Sequence, residues 1–511
     1  MENLGIGPWV ARKLARCAGE TAIAYRDQRI TYAELAERID RLASALNARG
    51  VQPGDRVAYL GNNHPAFLET LFAAAQIGAI FVPLNTRLAA PEIEFALEDS
   101  GASLLVFHED LRDLARSGGW STGVQHRLVV EGPASAGVES YEEAISAAAP
   151  EPRDTPVSLD DAALILYTSG TTGHPKGAVI SHGNLHWNSF NVMVDFGVTQ
   201  GERVLLISPL FHVASLSNGA IAVLLQGGTV VLHEKFDAGH VLETIERERI
   251  TMLAGVPTTY QMMQEHPDWA STDISSLRRL TCGGSAIPER LIRAFGERGL
   301  GFTMGYGMTE TSPATTALPA HRALEKIGSS GIRHFFTDVK IVDPDGQEVA
   351  PGVVGEIWVK GPNVIREYWR RPEATAAAFV DGWFRSGDLG YFDDEGFIFI
   401  SDRLKDMIIS GGENIYSAEV ETIIMELPEI EAVALIGVPD EKWGEVPHAY
   451  VQLLQGVSLT ADEVSALVVG HLTGRLAKYK IPKRVGVVEE FPRTASGKIR
   501  KPVLRAQVLG E

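Results

Sequence analysis

Residues 166–179, LYTSGTTGHPKGAV, combine glycines, hydroxyl side chains and one lysine directly after an apolar run that predicts a buried strand, 162–166. Glycines permit a tight turn that points backbone N–H groups at an anion, and Lys176 adds a mobile positive charge. The loop's donors come from Thr168, Ser169, Gly170, Thr171, Thr172 and Gly173. This chemistry predicts a polyphosphate-binding loop, whereas a flexible polar surface loop is the alternative. The usual nucleoside-triphosphatase loop has a glycine directly before its lysine and Ser or Thr after it, and both are missing here.

Four further segments follow in order: YGMTE at 306–310, WFRSGD at 383–388, DRLKD at 402–406 and PRTASGKIRK at 492–501. With the loop, they resemble the adenylate-forming superfamily, which includes acyl-CoA synthetases, firefly-type luciferases and adenylation domains of peptide synthetases. The resemblance covers nearly the whole chain. It implies an α/β fold with two parallel-type, helix-covered sheets and a small β region in a large N-terminal domain. A smaller, mobile α+β domain would follow at the C-terminus.

The activity implied by the resemblance is ATP-dependent ligation in two steps. A carboxylate attacks the α-phosphorus of ATP to give an acyl-adenylate and pyrophosphate, and the thiol of coenzyme A then displaces AMP. The first step brings two anions together, so the site needs positive charge and oriented donors where negative charge develops. The resemblance makes Lys498 the catalytic lysine that bridges carboxylate and α-phosphate, with Thr309, His212 and Lys176 as further catalytic residues.

The other ATP contacts are also implied by the resemblance. Tyr306 would stack on adenine, Gly307 would allow close approach of the backbone, and Glu310 would offer its carboxylate to Mg²⁺, which prefers oxygen ligands. Asp388 would accept both ribose hydroxyls, and Arg403 would be a second ribose contact. The opposite wall of the adenine site would be formed by Gly283, Gly284 and Ser285.

A lysine brought in from a separate domain implies a domain movement. The resemblance divides the chain into residues 1–401, a hinge at 402–406 centred on Lys405, and residues 407–511. Coenzyme A contacts are expected from Arg87, Gly411, Gly412, Glu413 and Trp443. Ten basic residues against two acidic ones between 475 and 505 indicate a surface that meets a polyanion, with a merely solvated face as the alternative.

The acyl pocket is expected beside His212, with Val213, Ala214, Gly255 and Met308 along its wall. A buried, satisfied histidine is the alternative interpretation of His212. The wall residues are mostly small, which favours medium- or long-chain, aromatic or bulky cyclic acids. By overall likeness the chain resembles both bacterial fatty-acyl-CoA and feruloyl-CoA ligases. A free-standing ligase that loads a carrier protein and a non-catalytic nucleotide- or acyl-binding protein remain as alternatives.

The composition of the chain limits the classes of partner that we expect it to bind. The chain has 511 residues, 46 basic and 65 acidic, for a net charge of −19, which disfavours nucleic acid and anionic membranes as partners. No signal peptide or membrane span is visible, and two distant cysteines, Cys17 and Cys282, exclude a disulfide framework. We therefore expect a cytoplasmic enzyme whose partners are a small carboxylic acid, ATP and coenzyme A. Assembly as a homodimer is compatible with these data, and a carrier protein is less favoured.

Local patterns predict where elements begin and end. Thr31 and Glu34 form a capping-box pair before an apolar face of Leu35, Ile39, Leu42 and Leu46. Alternating helix and strand patterns continue to about residue 330, and short strands with turn signals between them then predict an antiparallel region. Residues 133–156 are expected to form a surface excursion. Ser417 and the Thr460/Glu463 pair are expected to cap helices in the last hundred residues.

Overall fold

The computed structural model describes residues 2–168, 175–283, 287–404, 406–410, 413–440, 443–494 and 498–510. Its strands run as follows: β1 (Thr21–Tyr25), β2 (Gln28–Thr31), β3 (Arg56–Leu60), β4 (Ile80–Leu84), β5 (Leu104–His108), β6 (His126–Val130), β7 (Glu139–Ser140), β8 (Ala162–Thr168), β9 (Lys176–Ser181), β10 (Arg203–Leu206), β11 (Thr229–Leu232), β12 (Met252–Gly255), β13 (Arg279–Gly283), β14 (Phe302–Tyr306), β15 (Thr316–Leu318), β16 (Ser329–Arg333), β17 (Asp338–Val342), β18 (Gly355–Lys360), β19 (Phe379–Val380), β20 (Trp383–Phe392), β21 (Ile398–Arg403), β22 (Ile408–Ser410), β23 (Glu413–Ile415), β24 (Ile430–Asp440), β25 (Gly444–Leu453) and β26 (Arg484–Val487).

The α-helices are α1 (Trp9–Cys17), α2 (Tyr32–Ala48), α3 (Pro65–Gln76), α4 (Ala90–Ser100), α5 (Arg112–Gly119), α6 (Tyr141–Ala147), α7 (His182–Asp195), α8 (Ala222–Gln226), α9 (Ala238–Glu248), α10 (Pro257–Gln264), α11 (Glu289–Gly296), α12 (Pro372–Ala378), α13 (Ser417–Ile424), α14 (Ala461–Leu472) and α15 (Lys501–Leu509). Short 3₁₀ turns and one π-helical stretch, Ala214–Ile221, complete the set. Within the described ranges, no helix is both long enough and apolar enough to cross a membrane.

The seven-stranded sheet is ordered β7-β6-β5-β3-β4-β8-β9, and all its neighbours are parallel except β8 and β9. Its central strands are buried along their whole length, as in β5, because separate apolar cores cover both faces. The predicted capping box of Thr31 and Glu34 is present at α2, and the four apolar residues of its predicted face are buried.

The second sheet is larger and changes character along its length. Strands β14, β13, β12, β10, β11 and β1 are neighbours in that order and parallel. From β14 onward the sheet continues through β15, β16, β21, β20, β18 and β17, and all of these pairs are antiparallel. The predicted antiparallel region is therefore confirmed, and it extends the parallel sheet as one continuous surface.

Residues 133–156 are mostly exposed, as a surface excursion would be, but they also form regular structure that the sequence did not predict. This stretch adds β7 to the edge of the seven-stranded sheet and forms α6. Tyr141, the first residue of α6, is fully buried, and its hydroxyl donates to Glu69 on α3 at 2.8 Å. The abundance of Ala, Ser and Pro gave no indication of the short helix α6, which is stabilised by packing rather than by its own helix propensity.

Residues from 408 onward form a five-stranded sheet, β23-β22-β25-β24 with β26 beside β25, packed against α13, α14 and α15. Thr460 and Glu463 form the predicted capping box of α14. Ser417 does not cap α13 as predicted, because the N-cap is Tyr416 and Ser417 instead donates its hydroxyl to Asp402. The division into residues 1–401, 402–406 and 407–511 stays a prediction.

Candidate active site

The candidate site lies at the carboxyl ends of four neighbouring parallel strands. Strand β10 leads into the segment that carries His212, β12 ends at Gly255, β13 ends at Gly283 and β14 ends at Tyr306. Parallel strands bring their carboxyl ends to one edge, and ligands of open α/β sheets bind outside that edge. Sheet topology thus collects residues that are up to about a hundred positions apart in sequence.

Asn63, which sequence reasoning missed, fixes the segment before His212. Its side-chain amide donates to the carbonyls of Ser208 and His233, each at 3.0 Å, and its oxygen accepts the Leu210 N–H at 2.7 Å. Asn63 is 3% exposed. Since it follows β3 of the seven-stranded sheet, this one side chain joins the two sheets directly beneath the predicted acyl pocket.

His212 begins a turn that runs into the π-helix at Ala214. Its Nε2 is buried and has no hydrogen-bond partner among the described residues. Burial, together with the positive charges of Arg87 and Lys498, lowers the His212 pKa to about 4. The imidazole is therefore neutral near pH 7, and its buried Nε2 has unused hydrogen-bonding capacity.

Lys176, Glu310 and Tyr368 form a second group. Residues 367–369 run beside β9, where Trp369 N–H donates to the Gly177 carbonyl at 2.7 Å. This pairing places the Tyr368 ring 5.5 Å from Lys176 Nζ, and its hydroxyl donates to Glu310 Oε1 at 2.9 Å. Tyr368 was missed in the sequence, because no local pattern links it to Glu310.

Glu310 is the residue that could hold a divalent cation. Burial raises its pKa, and the Tyr368 hydrogen bond and Lys176 oppose that rise. Across the described ranges, no cluster of three or more His, Cys, Asp or Glu side chains converges as a metal site. A single carboxylate beside a phosphate loop fits Mg²⁺ that arrives on a nucleotide, since phosphate oxygens and water complete its octahedron.

Asp388 lies on β20 opposite Arg403 on β21, and the two residues pair in register. The Tyr306 hydroxyl donates to Asp388 Oδ2 at 2.7 Å, and Arg403 Nε lies 3.6 Å from Asp388 Oδ1. Burial raises the Asp388 pKa, whereas the Tyr306 hydrogen bond, Arg403 and Lys498 lower it. The structure therefore brings the predicted adenine and ribose residues into direct contact.

Lys498 reaches this group from the C-terminal part of the chain. Its side chain keeps accessible surface, but partial dehydration in the cleft, followed by repulsion from Arg403, lowers its pKa, and Asp388 opposes that effect. Its charge also acts on His212. The predicted catalytic lysine, ribose carboxylate and acyl-pocket histidine thus lie around one cleft.

Buried asparagines position the segment that follows Tyr306. Asn363 donates to the carbonyls of Thr311 and Ala314 at 2.8 and 2.6 Å, and Asn188 on α7 accepts the Ala314 N–H at 3.1 Å. Gly307 is required here, because a Cβ atom would come within 1.5 Å of the Pro313 carbonyl oxygen. Gly307 therefore allows a close approach within the protein's own backbone, and its expected approach to adenine stays a prediction.

Several predicted residues lie outside the described ranges: Ser169, Gly170, Thr171, Thr172, Gly173, Gly284, Ser285, Lys405, Gly411 and Gly412. Their neighbours are defined, since Thr168 ends β8 in register with Lys176 and Glu413 begins β23. Met308 precedes the 3₁₀ turn Thr309–Thr311 that carries Glu310. These assignments stay predictions.

The predicted coenzyme A residues are dispersed. Arg87 lies close enough to His212 for its charge to lower that residue's pKa, and Trp443 is 44% exposed near the start of β25. Much of the basic C-terminal segment is already neutralised by glutamates of the same region. The ion pairs are Arg475–Glu426, Lys480–Glu419, Lys501–Glu421 and Arg505–Glu445. These pairs leave less free charge than the sequence suggested.

Comparison with known proteins agrees with this geometry. The model of the AMP-binding enzyme family matches residues 10–369, and that of the AMP-binding enzyme C-terminal domain matches residues 419–498. A feruloyl-CoA synthase from Amycolatopsis is 49% identical, with 99% of each chain covered, and indoleacetate–CoA ligase from Aromatoleum aromaticum is 44% identical, with 98% covered. A fatty acyl CoA synthetase structure from Mycobacterium tuberculosis superimposes with a TM-score of 0.80 at 37% identity over 98% of each chain.

The chain belongs to the family of AMP-binding enzymes, in its acyl-CoA synthetase branch. It is an AMP-forming acid–thiol ligase that uses ATP, Mg²⁺ and coenzyme A. A carboxylic acid first becomes an acyl-adenylate, and the thiol of coenzyme A then releases AMP. The predicted α/β fold and reaction class are confirmed, and the non-catalytic alternative was wrong.

Proposed function

We propose that the acid activated by this enzyme is aromatic, with its carboxylate on a short linker. Feruloyl-CoA synthase and indoleacetate–CoA ligase, at 49% and 44% identity, are named for ring-containing acids, whereas a long-chain-fatty-acid–CoA ligase from Mycobacterium tuberculosis is 40% identical. Ferulate and indoleacetate share a planar ring that is separated from the carboxylate by one or two carbons. Such an acid would place its carboxylate near the α-phosphate and its ring in an apolar pocket.

The observation that carries this proposal is the unpaired His212 Nε2 beside a wall of small residues. A buried nitrogen without a partner favours a ligand that supplies a polar atom. Ala214, two residues later, is exposed, and Gly255 adds no side chain. A polar atom held by His212 and a flat ring packed along Ala214 and Gly255 would satisfy both features.

We propose that Lys498 neutralises the charge that develops as the carboxylate approaches the α-phosphate. Its compact ammonium would contact both anions, and Thr309 would donate to the same phosphate. Lys176 and the preceding loop would hold the polyphosphate, while Asp388 would orient the ribose. Mg²⁺ held by Glu310 would supply charge neutralisation at the phosphates.

We propose that coenzyme A meets the site through Arg87, Trp443 and residues 411–413, and that residues 402–406 serve as the hinge between residues 1–401 and 407–511. The two matched family segments, 10–369 and 419–498, lie on either side of that hinge. We also propose a cytoplasmic location, which is supported by two buried free cysteines, Cys17 and Cys282.

The test is pyrophosphate release from ATP and Mg²⁺ across a panel of acids, with and without coenzyme A. The panel contains hydroxycinnamates, arylacetates, benzoates, polycyclic acids and straight-chain acids of several lengths. We expect the highest kcat/KM with a hydroxycinnamate or an arylacetate, together with formation of the matching thioester. A preference for straight-chain acids would refute the aromatic assignment. Adenylation without thioester formation would instead point to a carrier protein as acceptor.

A further inference from the structure

A buried ionic cluster joins the C-terminal part of the chain to the end of β21 and contains none of the residues that we predict to contact substrates. Lys501 Nζ lies 2.8 Å from Glu421 Oε1 and donates to Ser417 Oγ at 2.5 Å. The Ser417 hydroxyl donates to Asp402 Oδ2 at 2.8 Å, and its backbone N–H donates to the same oxygen. Glu421 Oε1 also accepts the Leu435 N–H at 2.6 Å.

The cluster joins three segments that are distant in sequence. Asp402 and Ser417 are 6% and 0% exposed, and the side chains of Lys501 and Glu421 are 18% and 19% exposed. Removing one member of such a pair leaves an uncompensated charge, which is strongly unfavourable in a dehydrated site. Each of the four side chains therefore restricts the positions that the other three can take.

Each end of the cluster touches a segment of the proposed ATP site. Asp402 immediately precedes Arg403, which pairs in register with Asp388. At the other end, Lys501 begins α15, three residues after Lys498.

Residues 492–494 and 498–500 are paired with each other by hydrogen bonds, and we call these two described segments the Lys498 hairpin. Thr494 N–H donates to the Lys498 carbonyl and Arg500 N–H donates to the Pro492 carbonyl, both at 2.7 Å, while Lys498 N–H donates to Thr494 Oγ1 at 3.1 Å. Lys501 directly follows Arg500, the last residue of this hydrogen-bonded pairing.

We propose that Lys501 is a positioning residue that ties the Lys498 hairpin to the end of β21 through Ser417 and Asp402, and thereby aims Lys498 at Asp388. The inference rests on the catalytic role proposed for Lys498. The ammonium of Lys498 has a flexible four-carbon stem, so its reach depends on where the backbone holds that stem. A displacement of about 1 Å in a catalytic group can lower a rate about a hundredfold.

The electrostatic balance keeps Lys501 charged. Burial lowers its pKa, but Glu421 and Asp402 raise it by more, so that the net shift is upward. A charged, hydrogen-bonded ammonium is directional, since each of its N–H groups must find an acceptor when water is excluded. Methionine at this position would keep most of the apolar stem and lose all three donors.

A second lysine–glutamate pair, whose glutamate also lies on α13, provides a matched control. Lys480 Nζ lies 2.6 Å from Glu419 Oε2, and its side chain is 18% exposed, the same value as for Lys501. Both glutamates belong to α13, but Lys480 comes from the 3₁₀ turn Lys478–Lys480 rather than from the Lys498 hairpin. Lys480→Met therefore removes an equivalent ion pair without altering the attachment of the hairpin.

The experiment compares Lys501→Met, Lys501→Arg, Lys480→Met and the double variant Glu421→Gln/Lys501→Met with the wild-type enzyme. Amide hydrogen exchange of residues 492–500 is measured without ligands, and kcat and KM of acid-dependent pyrophosphate release are measured with them. We expect Lys501→Met to speed exchange in the hairpin and to lower kcat about a hundredfold, with the KM for ATP nearly unchanged. Lys480→Met should match the wild type in both readouts, and Lys501→Arg should recover part of kcat.

The double variant separates positioning from stability. It removes the unpaired buried carboxylate along with the lysine, so we expect its Tm to exceed that of Lys501→Met while its kcat stays low. Recovery of kcat together with Tm would overturn the proposal, as would identical hairpin exchange in Lys501→Met and Lys480→Met. Hydrogen exchange needs no turnover, so a wild-type enzyme without pyrophosphate release would refute the proposed function, while the exchange data would still decide whether Lys501 locks the hairpin.

Discussion

The two sides of the cleft are held in different ways. On the phosphate side, Lys176, Glu310 and Tyr368 stand on segments that are hydrogen-bonded to β9 and to buried asparagines. On the opposite side, Lys498 lies on a hairpin near the end of the chain and is attached through the cluster around Lys501. The groups predicted to bind ATP are thus built into the sheet, and the group proposed to act in the transition state is carried by a separate segment.

This difference has an energetic meaning. Donors that are already rigid before ATP binds contribute more to affinity, since ordering them on binding would cost free energy. A residue that stabilises only the transition state contributes little to substrate affinity and much to kcat. The comparison predicts that damage on the phosphate side will change KM or stability, whereas damage around Lys498 will change kcat.

Lys498→Ala should have the largest effect. Removing an ammonium aimed at developing negative charge is expected to lower kcat for adenylation by about a thousandfold, with ATP affinity changed by less than about threefold. Acid-dependent ATP–pyrophosphate exchange and calorimetric titration with ATP measure the two quantities. Lys483→Ala, at an exposed lysine of the same region, serves as control. Unchanged exchange in Lys498→Ala would remove the catalytic assignment.

The groups on the two sides were not equally visible in the sequence. Lys176 could be singled out because the residue types of its loop suit an anion, whereas Glu310, Asp388 and Lys498 were recognised through the family resemblance of their segments. The alternation of helix and strand patterns likewise predicted the parallel sheets, since each type of element has its own characteristic spacing of apolar residues. What the sequence showed were local arrangements of residues.

The groups that hold these residues in place could not be predicted. Asn63, Asn363 and Tyr368 act through partners between 49 and 170 positions away. A buried asparagine has no periodicity of its own, and its value depends on which carbonyls the fold brings near it. Ser417 shows the same limit, because a local capping pattern was overridden by Asp402 from another segment.

Asn363→Ala should have the next largest effect, on stability and on ATP binding together. It leaves the carbonyls of Thr311 and Ala314 without their donor, and we expect the free energy of unfolding to fall by about 2–4 kcal/mol. Denaturant unfolding measures this loss, and initial rates give the KM for ATP. Asn3→Ala is the matched control, since Asn3 is fully buried and its amide donates to two carbonyls far from the site. An unaltered KM in Asn363→Ala would mean that the asparagine stabilises the fold without shaping the site.

Tyr368→Phe tests the phosphate side more finely. The ring that faces Lys176 is retained and only the hydroxyl bound to Glu310 is lost. A hydrogen bond to a charged group contributes about 1.5–3 kcal/mol, so we expect the KM for Mg·ATP to rise about tenfold or more, with a smaller change in kcat. Calorimetric binding of Mg·ATP provides a readout that is independent of turnover.

Tyr141→Phe is the control for this change, because it removes an equivalent buried hydroxyl from Glu69, outside the cleft. Equal effects of the two substitutions on Mg·ATP binding would contradict a local role for Tyr368.

The smallest expected effect concerns His212, which lies between the two sides. Its folded-state pKa of about 4 lies below the value of 6.5 for an unperturbed histidine, because burial and two positive charges disfavour the imidazolium. The unfolded chain therefore binds the proton more readily, so the stability associated with neutral His212 is fully present above about pH 6.5 and declines as the pH falls towards 4.

Buried His64, His108, His182 and His233 shift in the same direction, so His212→Gln should reduce the Tm difference between pH 7.5 and pH 5 only in part. A larger Tm difference in His212→Gln than in the wild type would contradict this expectation. It would show that folding raises the proton affinity of His212, as a neighbouring anion would do, whereas Arg87 and Lys498 would lower it.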